Sequence, residues 1–86
     1  MSQLSELPNI GIVLAERLKT AGISDSVALR ALGSKAAFMR IRANDQGACL
    51  SMLYALEGAV QGVRWHRLDN AVKAELKEYY TARVRA

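Results

Sequence analysis

The stretch of sequence that decides the fold is LPNIGIVLAERLKTAGI, residues 7–23. Pro8 and Gly11 lie three positions apart, and apolar residues at helical spacing follow them directly. Leu7 precedes a proline, which disfavours the α region for that residue and ends any helix before it. The stretch therefore predicts a tight turn between a short helix over residues 2–6 and an amphipathic helix that begins near Gly11.

The predicted amphipathic helix has one apolar face and a recognisable stop. At its end, Gly22 suits the left-handed position that follows many helices, and Ile23 can supply the apolar contact of a Schellman motif. The polar residues of the same segment fall on the opposite side, which indicates a helix at the surface of a core. The apolar face consists of Ile10, Leu14, Leu18 and Ala21.

The rest of the chain predicts further helices and no strand, because strict alternation of apolar and polar residues is absent. Ser24 and Ser34 are the expected N-caps of the next two helices, and Asp69 is that of the last. Residues 48–62 are apolar on nearly all sides, which is typical of a central helix. The predicted fold class is all-α: one domain over residues 1–86, a compact bundle of five to six short helices with a helix-hairpin-helix-like unit.

The composition is that of a small globular protein from a reducing compartment. The chain has 86 residues, of which 51% are hydrophobic and 23% charged. The single cysteine, Cys49, cannot form an intrachain disulfide, and one histidine, His66, is too few for an ordinary zinc site. No basic N-terminal region precedes an apolar run, and no uncharged stretch approaches the roughly 20 residues that a bilayer needs. We therefore expect a cytoplasmic location, no membrane association and no cofactor.

Residues suited to catalysis are few. Cys49 lies in the apolar segment, where we expect it to pack as a small hydrophobe. Glu57 lies in the same segment and needs a partner there, because burying an unpaired charge is costly. Arg64, His66 or solvent at a helix edge could satisfy it. Since no cluster of titratable residues is evident, we do not expect an enzyme.

The turn at residues 8–11 allows two functional interpretations. Helix-hairpin-helix turns aim backbone N–H groups and a helix N-terminus at a phosphate, and Asn9 and Gly11 both suit such a turn. The apolar residues that come next are unsuited to phosphate and span too wide an arc for all of them to face the core. They favour a protein interface instead. These residues are Ile12, Val13 and Leu14.

The charge of the chain favours a polyanionic partner. The net charge is +4 and the pI is about 9.6. Two acid-free clusters could form a cationic face that contacts a phosphate backbone, although an ordinary solvated basic face is equally expected. The first cluster is Arg30, Lys35, Arg40 and Arg42, and the second is Arg64, His66 and Arg67. The predicted nucleic-acid contacts are Asn9, Gly11, Arg30, Lys35, Arg40, Arg42, Arg64 and Arg67.

Four segments together resemble the C-terminal domain of the TfoX/Sxy family, whose members regulate bacterial competence, the programme for natural DNA uptake. They are LPNIGIVLAERLKTAGI, ALRALGSKAAFMRIR, LSMLYALEGAVQGVRWHRL and VKAEL, and LYALEGAVQGVRWHRL is the most specific. The likeness covers roughly residues 4–77. The first half is also similar to the C-terminal domain of the RNA polymerase alpha subunit, which is helix-hairpin-helix-like.

The resemblance implies an all-helical, non-enzymatic domain of a protein related to transcription or DNA. The longer members of the family carry an N-terminal α/β domain before this one. We therefore expect a bacterial regulatory adaptor in competence and DNA transformation that acts through a protein partner, with DNA phosphate contacts as a further expectation. The alternative is a homo-oligomeric interaction module, such as a homodimer, without a nucleic-acid role.

Overall fold

The computed structural model describes residues 3–84, and helices account for most of them. No strand occurs within this range, so the predicted all-α class is confirmed. Single 3₁₀ turns occur at Leu4–Glu6 and Trp65–Arg67. The α-helices are α1 (Ile12–Thr20), α2 (Ser26–Leu32), α3 (Ser34–Asn44), α4 (Leu50–Gln61) and α5 (Asn70–Val84).

A tight turn connects the first 3₁₀ turn to α1, as the sequence predicts. Leu7 is extended, with φ −78° and ψ 149°, as expected for a residue before proline. Asn9 adopts the left-handed conformation, with φ 70°. Gly11 is the N-cap of α1, and its carbonyl accepts the N–H of Ala15 at 3.0 Å. The element before the turn is only a three-residue 3₁₀ turn. The helix-hairpin-helix comparison therefore stays a prediction, and residue 2 lies outside the described residues.

Helix α1 ends in the predicted Schellman motif. Ile23 donates its N–H to the carbonyl of Leu18 at 2.8 Å, and Gly22 donates to the carbonyl of Lys19 at 3.0 Å. The φ of Gly22 is +86°, a conformation that favours glycine. Ile23 is buried, so the stop also fixes the chain against the core.

The N-cap of α2 differs from the prediction, whereas that of α5 agrees with it. Asp25, rather than Ser24, caps α2, because its carboxylate accepts the N–H of Ala28 at 2.8 Å. A carboxylate is the stronger acceptor and also suits the positive end of the helix dipole. Asp69 directly precedes α5, and its carbonyl accepts the N–H of Lys73 at 3.0 Å.

The predicted capping role of Ser34 is also wrong, because its hydroxyl is hydrogen-bonded to a residue of α4 instead. Ser34 is the first residue of α3, so the N-cap is the preceding residue, Gly33. The Ser34 side chain is buried. Its Oγ donates to Glu57 Oε1 at 2.5 Å, and the Gln61 side chain donates to Glu57 Oε2 at 2.6 Å. Glu57 is thus held structurally, but by these two residues rather than by the predicted Arg64 or His66.

Helix α4 is the central helix, as predicted. It packs against α3, α5 and the second 3₁₀ turn. Leu53 and Leu56 have no exposed surface. Gly58 permits a close approach, since a Cβ there would lie 2.7 Å from the carbonyl oxygen of Val63. Cys49 is exposed at the N-cap, so its predicted packing role is wrong: the helix begins after it, and the thiol lies outside the core.

Candidate protein and nucleic-acid interface

The side chain of Asn9 ties the turn at residues 8–11 to the C-terminal end of α4. Its Nδ2 donates to the carbonyl of Val63 at 3.0 Å and, at a longer 3.4 Å, to that of Ala55. Its Oδ1 accepts the N–H of Trp65 at 3.1 Å. One asparagine therefore joins two segments that lie more than 40 residues apart in the sequence, with separations of 46 to 56 residues.

Arg64 is placed beside the turn by the same hydrogen bonds. It lies between Val63 and Trp65, and both of these neighbours are bonded to Asn9. Together with the turn, Arg64 lines a cleft of about 630 Å³, which we call the polar cleft. The lining residues of the polar cleft are Ser5, Glu6, Leu7, Pro8, Asn9, Ile10, Gly11 and Arg64. The structure thus brings together three of the predicted nucleic-acid contacts: Asn9, Gly11 and Arg64.

The backbone at the start of α1 faces open space. Gly11 supplies no side-chain cap, and no acidic residue lies in the first turn of the helix. A Cβ at Gly11 would meet no atom within 4 Å among the described residues. The positive end of the helix dipole is therefore free to face an anionic group. Because the Asn9 amide is bonded internally, backbone N–H groups and the guanidinium of Arg64 are the candidates to face a phosphate here. Ser5 and the acidic residue Glu6 line the same cleft.

The other predicted basic contacts lie elsewhere on the molecule. Lys35 Nζ is 2.5 Å from Glu75 Oε1, and Arg42 donates to the carbonyl of Gln46 at 3.0 Å. Arg40 follows Lys35 by five positions, which places the two about 140° apart around α3. Three other predicted basic contacts are exposed and do not line the polar cleft: Arg30, Arg40 and Arg67. The basic residues of α2 and α3 therefore do not join the polar cleft.

An apolar groove adjoins the polar cleft. Ile12 is 78% exposed and Val13 is 68% exposed, whereas Leu14 is half-buried. This confirms that the three successive residues cannot all face the core. The groove has a volume of about 410 Å³. Its lining residues are Gly11, Ile12, Val13, Leu14, Arg17 and Met52. Gly11 lines both the apolar groove and the polar cleft, so the two surfaces meet at the turn.

Two residues near this surface are missed by sequence reasoning. Met52 lies on the apolar helix α4 and lines the apolar groove. The sequence could not show which apolar residue of that helix reaches the groove. Trp65, in the predicted connector, is 45% exposed and stacks on Tyr54 with ring centroids 6.1 Å apart. The ammonium of Lys73 lies 5.7 Å from the centre of the Trp65 ring. The only signal for Trp65 was a large aromatic residue within a basic connector.

Neither a metal centre nor a membrane span is found in the described part of the chain. Residues 3–84 contain no group of three or more His, Cys, Asp or Glu side chains arranged to hold a metal ion. None of the helices in that range combines the length and apolar character required to cross a bilayer.

The fold and this surface define a small all-α domain with an apolar groove and a polar cleft that meet at one turn. Residues 1–80 match the family model of the TfoX C-terminal domain. The chain belongs to the TfoX C-terminal domain family. The family resemblance seen in the sequence is thereby confirmed.

Relatives of known sequence or structure agree with this assignment. The chain is 36% identical over 77 residues to Protein Sxy of Escherichia coli strain K12, a match that covers 90% of the chain and 37% of that protein. The chain thus spans just over a third of Sxy.

Two crystal forms from Listeria monocytogenes share the fold. One, a triclinic form of an uncharacterized protein, is 58% identical with a TM-score of 0.93, over 94% of this chain and 92% of that one. The other, a tetragonal form of a protein of unknown function, is 59% identical with a TM-score of 0.89, over 91% and 96%.

Proposed function

We propose that this protein is a non-enzymatic regulatory adaptor of the competence-regulator family and that it acts by binding another protein through the apolar groove. The observation that carries the proposal is the exposure of Ile12 and Val13, at 78% and 68%, beside one another on α1. Contiguous exposed apolar surface next to polar residues marks interaction sites in soluble proteins.

Folding of the domain does not explain these two residues. Helix α1 places Ala15 and Leu18 in the core, with exposures of 6% and 0%. Ile12 and Val13 lie outside that face, so polar residues there would cost the fold little. Burial against a partner stabilises a complex by roughly 25 cal/mol for each Å² of apolar surface removed from water. A partner therefore gives the two side chains a role that the isolated domain does not.

Affinity capture from the native host, with and without nuclease treatment, tests this function. The variant Val13→Lys places a charge in the apolar groove. Val27→Lys is the matched control, since Val27 is 63% exposed on α2 and lies outside the groove. We expect the same proteins to be retained by the wild type and Val27→Lys after nuclease treatment, and to be lost with Val13→Lys. If the wild type, Val13→Lys and Val27→Lys all retain the same host proteins, the proposal is contradicted.

Contact with the DNA backbone is a second candidate function, and the polar cleft favours it. Phosphate-only binding is expected to have dissociation constants of about 10⁻⁴–10⁻⁶ M and little sequence preference. Each phosphate contact adds roughly 0.9 to the slope of log affinity against log salt. Arg64→Ala should flatten this slope by about one contact, whereas Lys77→Ala, an exposed lysine on α5, should not. A bulky residue at Gly11 should also weaken binding if the backbone N–H groups hold a phosphate.

Fluorescence anisotropy with a labelled duplex at several salt concentrations measures these effects. Arg40→Ala and Arg42→Ala test whether α3 also contacts the duplex, and each should flatten the slope if it does. Absence of binding at low salt would leave protein binding as the sole function proposed. Binding with a salt slope that Arg64→Ala leaves unchanged would exclude the polar cleft as the DNA site.

A second copy of the chain is the alternative occupant of the apolar groove. A standard interface buries about 800 Å² on each partner, so a stable homodimer would need to extend well beyond the groove. Sedimentation velocity of the wild type and Val13→Lys distinguishes the cases. If the wild type is a dimer and Val13→Lys is a monomer, the result would favour the homo-oligomeric module over the adaptor. A monomeric wild type would support a different partner.

A further inference from the structure

We propose that Trp65 is a stacking platform for an unpaired nucleobase, so that the domain binds single-stranded nucleic acid at a further surface. We call this surface the aromatic patch, and it consists of Tyr54, Trp65, His66 and Lys73. The proposal does not depend on protein binding at the apolar groove. Its observation is a large aromatic residue that the fold holds in place and yet leaves 45% exposed.

Contacts to both the backbone and the ring hold Trp65 in position. Its N–H donates to Asn9 Oδ1 at 3.1 Å, and its carbonyl accepts the N–H of Leu68 at 3.2 Å. Its ring is parallel to that of Tyr54, with an angle of 6° between the planes. The Tyr54 hydroxyl in turn donates to the carbonyl of Lys73 at 3.4 Å. A side chain that is already ordered costs less entropy to bind than a free one.

Tyr54 covers only part of one face of the Trp65 ring. Parallel rings in contact have their planes about 3.5–4.0 Å apart, whereas these two ring centroids are 6.1 Å apart. The rings are therefore displaced sideways, as in offset stacking. The His66 ring stands perpendicular to that of Trp65, at 89°, and so does not lie flat on it. This arrangement is consistent with the exposed fraction of 45% and leaves ring surface on which a planar base can stack.

The charges near the exposed ring favour a phosphate only modestly. Arg64 and Arg67 are exposed, and the ammonium of Lys73 lies 5.7 Å from the ring centre. None of these three cations forms an ion pair within residues 3–84. Two acids oppose them, since Asp69 is exposed nearby in the sequence and Glu6 lines the polar cleft with Arg64. Stacking, rather than charge, must therefore supply most of the selectivity.

An unpaired base matches this combination of an aromatic ring and basic neighbours. Bases of single strands stack on aromatic side chains beside basic residues, whereas the bases of a duplex are already paired and stacked on one another. An apolar protein partner matches the patch less well. Among the described residues, the other large apolar side chains that are exposed lie on α1 and α2, and the sequence neighbours of Trp65 are Arg64 and His66.

Quenching of tryptophan fluorescence tests the proposal directly, because Trp65 is the single tryptophan of the chain. The probe is oligothymidylate at low salt, and the comparisons are a duplex and an abasic strand of equal length. The abasic strand carries the same phosphates without bases. We expect saturable quenching by oligothymidylate, with an affinity at least fivefold higher than that for the abasic strand. The duplex and the abasic strand should quench little.

Two substitutions at position 65 separate stacking from a structural role. Trp65→Leu removes the platform and should weaken binding of labelled oligothymidylate, measured by anisotropy, by roughly 5- to 150-fold. Trp65→Phe keeps an aromatic ring and should weaken it less. Neither variant should change binding of the abasic strand, whereas a general loss of structure would weaken both ligands. Val27→Ala, which removes exposed apolar surface on α2, is the control and should bind oligothymidylate as the wild type does.

Three results would overturn the stacking platform. Equal affinity for the abasic strand and oligothymidylate would mean that only phosphates are bound. Binding of oligothymidylate that Trp65→Leu leaves unchanged would place the strand elsewhere, and absence of binding at low salt would remove the ligand altogether. None of these results bears on protein capture through Val13, so the proposed function is tested separately. Thermal unfolding by circular dichroism confirms that each variant is folded before binding is compared.

Discussion

Replacement of Asn9 is expected to destabilise the whole domain, although the residue lies in a surface turn. Its side chain makes two hydrogen bonds of ordinary length, to the carbonyl of Val63 at 3.0 Å and from the N–H of Trp65 at 3.1 Å. Each such bond contributes about 1 kcal/mol net. Asn9→Gly removes both but keeps the left-handed backbone available, so we expect a loss of about 2 kcal/mol. Asn9→Ala adds a left-handed penalty of about 1 kcal/mol, for a total of about 3 kcal/mol.

Urea unfolding measures these losses, with helix content from circular dichroism and the fluorescence of the single tryptophan, Trp65, as two probes. For a domain of this size, 1 kcal/mol corresponds to a shift of about 4–8 °C in Tm, so thermal unfolding should show the same order. Asn9→Asp keeps an acceptor for Trp65 but places a carboxylate against the carbonyl of Val63, and it should be no more stable than Asn9→Ala. Losses below about 0.5 kcal/mol for both Asn9→Gly and Asn9→Ala would refute the reasoning.

Three further predictions concern the core and its polar support. Leu53→Ala and Leu56→Ala should each cost about 2–5 kcal/mol of unfolding free energy, since both side chains are fully buried; losses below about 0.5 kcal/mol at both would contradict the central placement of α4. Gly58→Ala should cost about 1–3 kcal/mol, because the added Cβ would press on a backbone carbonyl oxygen 2.7 Å away, and an unchanged urea midpoint would contradict that contact. Ser34→Ala should cost about 1.5 kcal/mol in the same assay, since it removes a donor to Glu57, whereas a neutral result would mean that water replaces the hydroxyl.

The sequence predicts the helices and stops of this domain well, because those depend on neighbouring residues. The Schellman stop at Gly22 and the central position of α4 follow from local pattern alone. The errors at the N-cap of α2 and at Cys49 concern the exact residue at which a helix begins. The error at Ser34 occurs because a long-range contact outweighs a local preference. Ser34 is a good capping residue, but its hydroxyl is used by Glu57, which lies 23 positions away.

The candidate site was only partly predictable for the same reason. The apolar run after Gly11 showed that some of its side chains must be exposed, and the structure confirms this for Ile12 and Val13. The position of Arg64 beside the turn depends on Asn9, which lies more than 50 residues earlier. Sequence reasoning assigned Asn9 to the turn and to a nucleic-acid contact, not to internal hydrogen bonds. Charge clustering along the chain grouped Arg64 with basic residues that the fold places elsewhere.

Site-specific photo-crosslinking in the native host tests the central claim most directly. A benzophenone side chain is introduced at position 13 in one protein and at position 27 in another, since both positions are exposed and only the first lies in the apolar groove. We predict a discrete, nuclease-resistant protein adduct from position 13 and none from position 27. Equal adducts from both positions, or none from position 13, would contradict the account.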